Sequence, residues 1–79
     1  MPATVAVTLN LRRPTLSLTV AQTAVAMTRL RPGELLEVLT SDPEEAQDLS
    51  VWARATRHRL AQQTKDDGVY RFVLEKGHP

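Results

Sequence analysis

Arginine and hydroxyl side chains are concentrated in one short segment, residues 12–19. Its polar residues are Arg12, Arg13, Thr15, Ser17 and Thr19. Because backbone N–H groups are unpaired at the start of a helix, such a segment could bind a phosphate, a sulfate or a carboxylate there. A simpler interpretation needs no ligand: one hydroxyl caps the helix and the arginines are solvated. Capping alone accounts for the hydroxyl residues, so we favour it and keep small-anion binding as the alternative.

Few residues in this sequence could support catalysis or metal binding. The chain contains 0 Cys, which excludes a disulfide, a thiolate metal site and a cysteine nucleophile. The sequence places no nucleophile or second carboxylate beside His58, which we expect to pack where a helix meets a strand. The acidic residues around position 45 are explained by the positive end of a helix. We therefore predict no catalytic residue, no metal site and no cofactor, and an enzyme is the least supported class.

Length and composition predict one small domain. The chain has 79 residues, which we assign to a single domain, 1–79, with its core at about residues 5–77. The 10 Lys and Arg residues nearly balance the 9 Asp and Glu residues, and the chain has one Trp, one Tyr and one Phe. Both facts argue against nucleic acid as a partner. Without a signal peptide or a membrane-length apolar stretch, we expect a cytoplasmic protein that does not contact the membrane.

The hydrophobic pattern of the first part of the chain predicts a strand and then a helix. Apolar residues alternate over residues 5–11, as in a strand with one buried face. From Leu16 the apolar spacing becomes that of a helix, and a Pro-Gly pair at residues 32–33 ends it. Thr19 and Gln22 fit a capping box, although a hydroxyl residue one turn earlier could cap equally well.

The rest of the chain predicts a strand, a helix and a hairpin. The three strands are expected at residues 34–39, 60–65 and 69–76. Asp42 or Ser41 can cap the intervening helix, which has Pro43 in its first turn and is predicted to extend to about Arg57. The two last strands flank a turn at residues 66–68, Asp-Asp-Gly. The order βαβαββ predicts an α/β two-layer sandwich, a four-stranded mixed sheet with both helices on one face.

The first helix carries no charge from residue 14 to residue 28. Opposite its core stripe lie Leu18, Ala21, Gln22 and Val25, where a solvated helix normally carries charged residues. An exposed apolar strip on a small domain is typical of a contact surface. We therefore predict a protein partner or self-association here. The alternative is a monomer that tolerates a few exposed apolar side chains.

Several short motifs resemble the TusA (SirA-like) family of small sulfur-carrier proteins, over roughly residues 5–77. Residues 9–12, Leu-Asn-Leu-Arg, look like the family's Leu-Asp-x-Arg start, with asparagine in place of aspartate. Residues 31–34, Arg-Pro-Gly-Glu, look like its Pro-Gly-Glu/Asp turn. The other similar pieces are residues 40–43, His58, the turn at 67–68 and the strand at 70–72. The order and spacing of these pieces together carry the resemblance.

The resemblance fails at the motif that carries the family's chemistry. That motif, Cys-Pro-x-Pro at the start of the first helix, holds sulfur as a persulfide on its cysteine. Aligned without a gap, the cysteine position is Leu16, and the two prolines fall on Ser17 and Thr19. The resemblance thus implies the fold without the sulfurtransferase activity, in a non-catalytic binding or regulatory protein that acts through protein partners. The alternatives are a small RNA-binding module and a small-anion or metabolite-binding domain that uses the first helix's N-terminus.

Overall fold

Four strands form one mixed sheet in the computed structural model, which describes residues 5–12 and 18–77. The elements are β1 (Val5–Leu11), α1 (Thr19–Thr28), β2 (Leu35–Thr40), α2 (Pro43–Ala55), β3 (Arg59–Asp66) and β4 (Val69–Glu75). The strand order is β1-β2-β4-β3, with β1 parallel to β2 and the other neighbours antiparallel. Parallel β1 and β2 are joined by the crossover helix α1, as the topology rules require. The predicted fold is confirmed.

The core lies between the two helices and one face of the central strands. Strand β2 contributes Leu36 and Val38, and β4 contributes Phe72 and Leu74, alternate residues that share this face. The helices supply Met27 from α1 and Ala46, Leu49 and Ala53 from α2. Burying an apolar side chain as large as leucine or phenylalanine contributes about 1.5–3 kcal/mol relative to leaving it exposed. These buried side chains therefore fix both helices on the same face of the sheet.

The prediction that β1 buries one whole face is wrong for its first half. Val5 and Val7 are both exposed, whereas Leu9 and Leu11 are half-buried against the core. The reason lies in the position of α1, which packs mainly against α2 and β2 and leaves the start of β1 uncovered. Alternation predicts the strand correctly, but the depth of burial depends on where the helix lies.

The start of α1 also differs from the prediction. Leu18 occupies the N-cap position, and Thr19 is the first helical residue with its side chain buried. The carbonyl of Thr19 accepts a 2.7 Å hydrogen bond from the Thr23 hydroxyl, inside the helix. The capping box of Thr19 with Gln22 is therefore wrong. The earlier candidates for the cap, Thr15 and Ser17, lie outside the described residues.

The start of α2 and the final turn follow the predicted local chemistry. An Asp42 carboxylate oxygen accepts hydrogen bonds from the N–H groups of Glu44 and Glu45, at 2.9 and 3.5 Å, with Pro43 as the first helical residue. The helix ends at Ala55, two residues before the predicted end. In the hairpin, Asp67 and Gly68 both have positive φ, 50° and 75°, as a type I′ turn between twisted strands requires.

Candidate functional site

The structure describes only part of the segment predicted to bind an anion. Arg12 ends the described stretch after β1, and Thr19 begins α1. Arg13, Thr15 and Ser17 lie outside the described residues, as does Leu16, the position of the family's cysteine.

Arg12 is held by local contacts at the end of β1. Its Nε donates a 2.8 Å hydrogen bond to the Asn10 side-chain oxygen. Its carbonyl oxygen accepts a 2.6 Å hydrogen bond from the Ser41 hydroxyl, which precedes α2. Arg12 therefore joins the chain leaving β1 to the loop that leads into α2, where two crossover connections meet.

The backbone N–H of Thr19 is already paired with a carboxylate of this chain. It donates a 3.2 Å hydrogen bond to Oε2 of Glu45, which lies in the first turn of α2. A negative charge at this position is stabilised by the positive end of α1. Glu45 thus occupies one of the donors that an added anion would need, and an anion binding here would compete with it. Sequence reasoning missed this contact because Glu45 was explained by the dipole of its own helix.

The four residues predicted as a contact surface lie together in one groove. The groove has a volume of about 320 Å³ and runs between α1 and β1. Its lining residues are Leu9, Leu18, Ala21, Gln22, Val25, Ala26 and Arg29. Leu18 is 46% exposed and Val25 is 54% exposed. The arrangement follows from the displacement of α1 toward β2, and the use of this groove as an interface stays a prediction.

A polar network crosses the face of the sheet that the helices leave open. The Glu37 carboxylate accepts a 2.9 Å hydrogen bond from the Thr8 hydroxyl and a charged contact from Arg71. Arg71 also donates a 2.5 Å hydrogen bond to the Gln62 side-chain oxygen. The hydrogen bond from Arg71, more than any other influence, holds the pKa of Glu37 below its ordinary value. The network therefore joins all four strands through their side chains.

This network explains why a residue on the open face is buried. Val73 is only 3% exposed, although it alternates with the core residues Phe72 and Leu74. In the sheet register Val73 lies opposite Glu37 on one side and Gln62 on the other. The guanidinium of Arg71 bonds to both of these residues and so lies over Val73. The stem and head of an arginine can cover apolar surface in this way.

His58 packs between the end of α2 and the end of β4, as the sequence predicts for it. Its Nδ1 accepts a 3.0 Å hydrogen bond from the Gly77 backbone N–H, and its ring lies 5.9 Å from that of Trp52. Burial, and secondarily the charge of Lys76, lower the pKa of His58. The neutral ring is the form that can accept this bond. His58 therefore anchors the end of the chain's last strand.

The described residues, 5–12 and 18–77, contain neither a metal-binding cluster nor a membrane-spanning helix. Those residues contain no group of three or more His, Cys, Asp or Glu side chains placed to hold a metal ion. Among the same residues, no helix is long and apolar enough to cross a membrane.

The fold is a small α/β two-layer sandwich in the order βαβαββ. The sequence model of the family described as sulfurtransferase TusA matches residues 8–76. This chain belongs to the TusA family.

Relatives from bacteria and archaea agree with this assignment. The chain is 33% identical over 58 residues to YrkI of Bacillus subtilis, a protein named as a candidate sulfur carrier; the match covers 73% of this chain and 77% of that one. It is 33% identical over 70 residues to a protein of Halobacterium salinarum named in the same way, covering 87% and 86% of the two chains. A third such protein, from Archaeoglobus fulgidus, is 36% identical over 44 residues, 56% and 60% of the two chains.

A solved structure has the same fold. The crystal structure of a SirA-like protein from Desulfitobacterium hafniense superposes with a TM-score of 0.75 and 20% sequence identity. The match covers 91% of this chain and 99% of the other. At this identity the likeness establishes the architecture alone.

Proposed function

We propose that this chain is a TusA-family domain that does not carry sulfur and acts as a non-catalytic binding or regulatory protein through protein partners. The observation that carries the proposal is the combination of the family's fold with 0 Cys in the whole chain. The family is named for sulfur transfer. A persulfide that can be transferred forms on a thiolate. Leucine at position 16 has no atom that can hold one.

The remaining sulfur atoms of the chain cannot replace the missing thiolate. Both belong to methionines, and a thioether sulfur already bonded to two carbons has no thiolate form that could attack a donor. The described one, Met27, is also enclosed in the core. The chemistry of the family is therefore lost with the cysteine, while the fold and its surfaces remain.

The groove beside α1 supports a role in protein contacts. Its exposed residues Leu18, Ala21 and Val25 are apolar, and Gln22 is uncharged. Exposed apolar surface of this kind costs solubility unless a partner covers it. The groove is therefore the surface through which we propose that this domain acts.

The alternatives of other classes receive less support. RNA binding is disfavoured by the near balance of 10 basic and 9 acidic residues and by the small number of aromatic residues, one Trp, one Tyr and one Phe. For anion binding at Arg12, Arg13, Thr15, Ser17 and Thr19, an added anion would compete with the Glu45 carboxylate for one of the donors, the Thr19 N–H. Binding of a protein at the groove beside α1 requires neither a basic surface nor competition with Glu45.

Sulfur loading with a matched positive control tests the proposal. The purified chain and a Leu16→Cys variant are treated with inorganic polysulfide, and their intact masses are measured before and after dithiothreitol. We expect the wild-type mass to stay unchanged and the variant to gain sulfur that the reductant removes. A reducible sulfur atom on the wild-type chain would contradict the proposal.

A binding measurement tests the partner role directly. Purified sulfur-relay proteins, a cysteine desulfurase among them, are titrated onto the immobilised chain. We expect saturable binding that does not change when dithiothreitol is added, since no persulfide bridges the two proteins. Binding that needs a loaded donor and disappears on reduction would argue for sulfur transfer instead.

A further inference from the structure

The exposed strip of α1 has the spacing of a helix–helix contact. Leu18, Ala21, Gln22 and Val25 are separated by three, one and three residues, so they lie along one side of the helix. The bulky members, Leu18 and Val25, stand at the two ends of the strip. The small side chain of Ala21 stands near its middle, where a second helix could approach closely.

This strip is complementary to itself. A two-fold axis between positions 21 and 22 places Leu18 of one copy beside Val25 of the other and brings no two bulky side chains together at the centre. The groove between α1 and β1 offers each copy's end residues an apolar recess lined by Leu9 and Ala26.

Charge also favours a second copy over a charged partner. In a two-fold contact every residue meets the same patch on the other copy, so a charged strip would repel itself. The sequence is uncharged over residues 14–28, a range that includes all of α1, and Arg29 is the one charged residue that lines the described groove. Two antiparallel α1 helices also bring the positive end of each dipole beside the negative end of the other.

We propose that the groove of one chain is covered by α1 of a second copy, in an antiparallel α1–α1 dimer centred on Ala21 and Gln22. The dimer rests on the proposed function, because it takes the groove as the surface through which this chain acts. The strip from residue 18 to residue 25 is about 10 Å long. It is too short to bury the roughly 800 Å² per partner of a standard interface. The dimer is therefore weak and depends on concentration.

Sedimentation or light scattering of the full chain over a wide concentration range tests the dimer. The mass is expected to rise from 8.8 kDa toward twice that value as the concentration increases. Val25→Glu places a charge in the contact and is expected to raise the dimer dissociation constant by more than about tenfold. Val51→Glu is the matched control, because Val51 is 63% exposed on α2, away from the groove, and should leave the constant unchanged.

Disulfide crosslinking of single-cysteine variants tests the dimer independently, in case Val25→Glu fails to fold. Since the chain has 0 Cys, a single introduced thiol can link only to its own copy. Gln22→Cys should form a disulfide-linked dimer under mild oxidation, whereas Gln47→Cys, an equally exposed glutamine on α2, should not. Equal linking by both variants would overturn the proposal. So would a single mass of one chain at every concentration, or equal effects of Val25→Glu and Val51→Glu.

These outcomes are separate from those that test the proposed function. A monomeric chain that takes up no sulfur removes the dimer and leaves the proposed function standing. A chain that takes up reducible sulfur contradicts the proposed function whatever its mass in solution. A strand of another protein added to the free edge of β1 would also cover part of the groove. It would leave Gln22→Cys unlinked and so would count against the dimer.

Discussion

The carboxylate of Glu45, in the first turn of α2, accepts a 3.2 Å hydrogen bond from the backbone N–H of Thr19, the first residue of α1. It therefore places a negative charge at the start of α1. One carboxylate thereby meets the positive ends of both helices. The resemblance aligns the family's cysteine with Leu16, three residues before α1 begins. Here a carboxylate of the chain itself supplies a charge at that helix end.

We expect Glu45→Gln to lower the free energy of unfolding by about 1 kcal/mol, because the helix end loses its charged acceptor. Urea denaturation at pH 7 measures the change. Glu44→Gln is the matched control, since Glu44 is exposed in the same first turn and serves the dipole of α2 alone. Equal losses in the two variants would show that the contact with Thr19 adds nothing.

The Glu37 and Arg71 pair predicts a loss of stability in acid. The pKa of Glu37 is lowered from its ordinary 4.5, chiefly by the hydrogen bond from Arg71, so the unfolded chain binds the proton more readily than the folded one. The stabilisation is therefore complete above about pH 4.5 and is lost as the pH falls below that value through the folded pKa. Thermal unfolding from pH 7 to pH 3 measures this loss.

Removing the charge should cost more at Glu37 than at a comparable surface pair. We expect Glu37→Gln to lose about 1–2 kcal/mol at pH 7, because Arg71 and the covering of Val73 depend on that carboxylate. Glu75→Gln breaks the more exposed pair with Arg59 and should have a clearly smaller effect. A Glu37→Gln variant as stable as wild type would show that Arg71 lies over Val73 without this ion pair.

His58 predicts a second pH dependence in a separate range. Burial and then the charge of Lys76 lower the pKa of His58 from its ordinary 6.5, so the folded chain favours the neutral ring. Its stabilisation is present above about pH 6.5 and is lost as the pH falls from there through the folded pKa. We expect His58→Phe, which keeps a ring beside Trp52, to remove the change between pH 8 and pH 5. An unaltered pH profile in this variant would assign the change to another group.

Gly77→Ala should disturb His58, whose ring accepts a hydrogen bond from the Gly77 N–H. A Cβ at position 77 would overlap the Arg57 carbonyl oxygen, so the segment after β4 must move away and release the ring of His58. We expect a loss of about 1–3 kcal/mol and a rise in the pKa of His58 toward its ordinary value. NMR titration of the ring measures the pKa.

Gly33→Ala is the control for that substitution. Gly33 has φ of 91°, which strains any residue with a Cβ, yet nothing lies within 4 Å of the position where one would stand. This variant should lose stability and leave the pKa of His58 unchanged. If both variants shift the pKa equally, the effect comes from general destabilisation.

Local chemistry in the sequence predicted most of the fold. The Asp42 cap, the Pro-Gly stop after α1 and the Asp-Gly turn each act within a few residues, so their signals are readable without the rest of the chain. Contacts between distant residues were not predictable in this way. The Glu45 contact spans 26 residues, and the Arg71 contact with Glu37 spans 34. Only packing brings such partners together.

For the candidate site, too, the sequence predicted the local features and not those that depend on packing between distant residues. The spacing along α1 correctly grouped Leu18, Ala21, Gln22 and Val25 on one side of the helix, because helical periodicity is a local property. The depth of the groove, by contrast, depends on the displacement of α1 toward β2, and no pattern in residues 5–30 encodes that displacement. The capping role of Thr19 failed for a related reason, since burial of its side chain and pairing with Glu45 replaced the local hydrogen bond.

The enclosed side chain of Met27 limits the access of oxidants to the sulfur of this chain. With 0 Cys in the chain and this thioether 1% exposed, the described part of the molecule offers oxidants almost no accessible sulfur. Under the proposed function the chain presents one constant surface, so its contacts report the amount of protein present and not its oxidation.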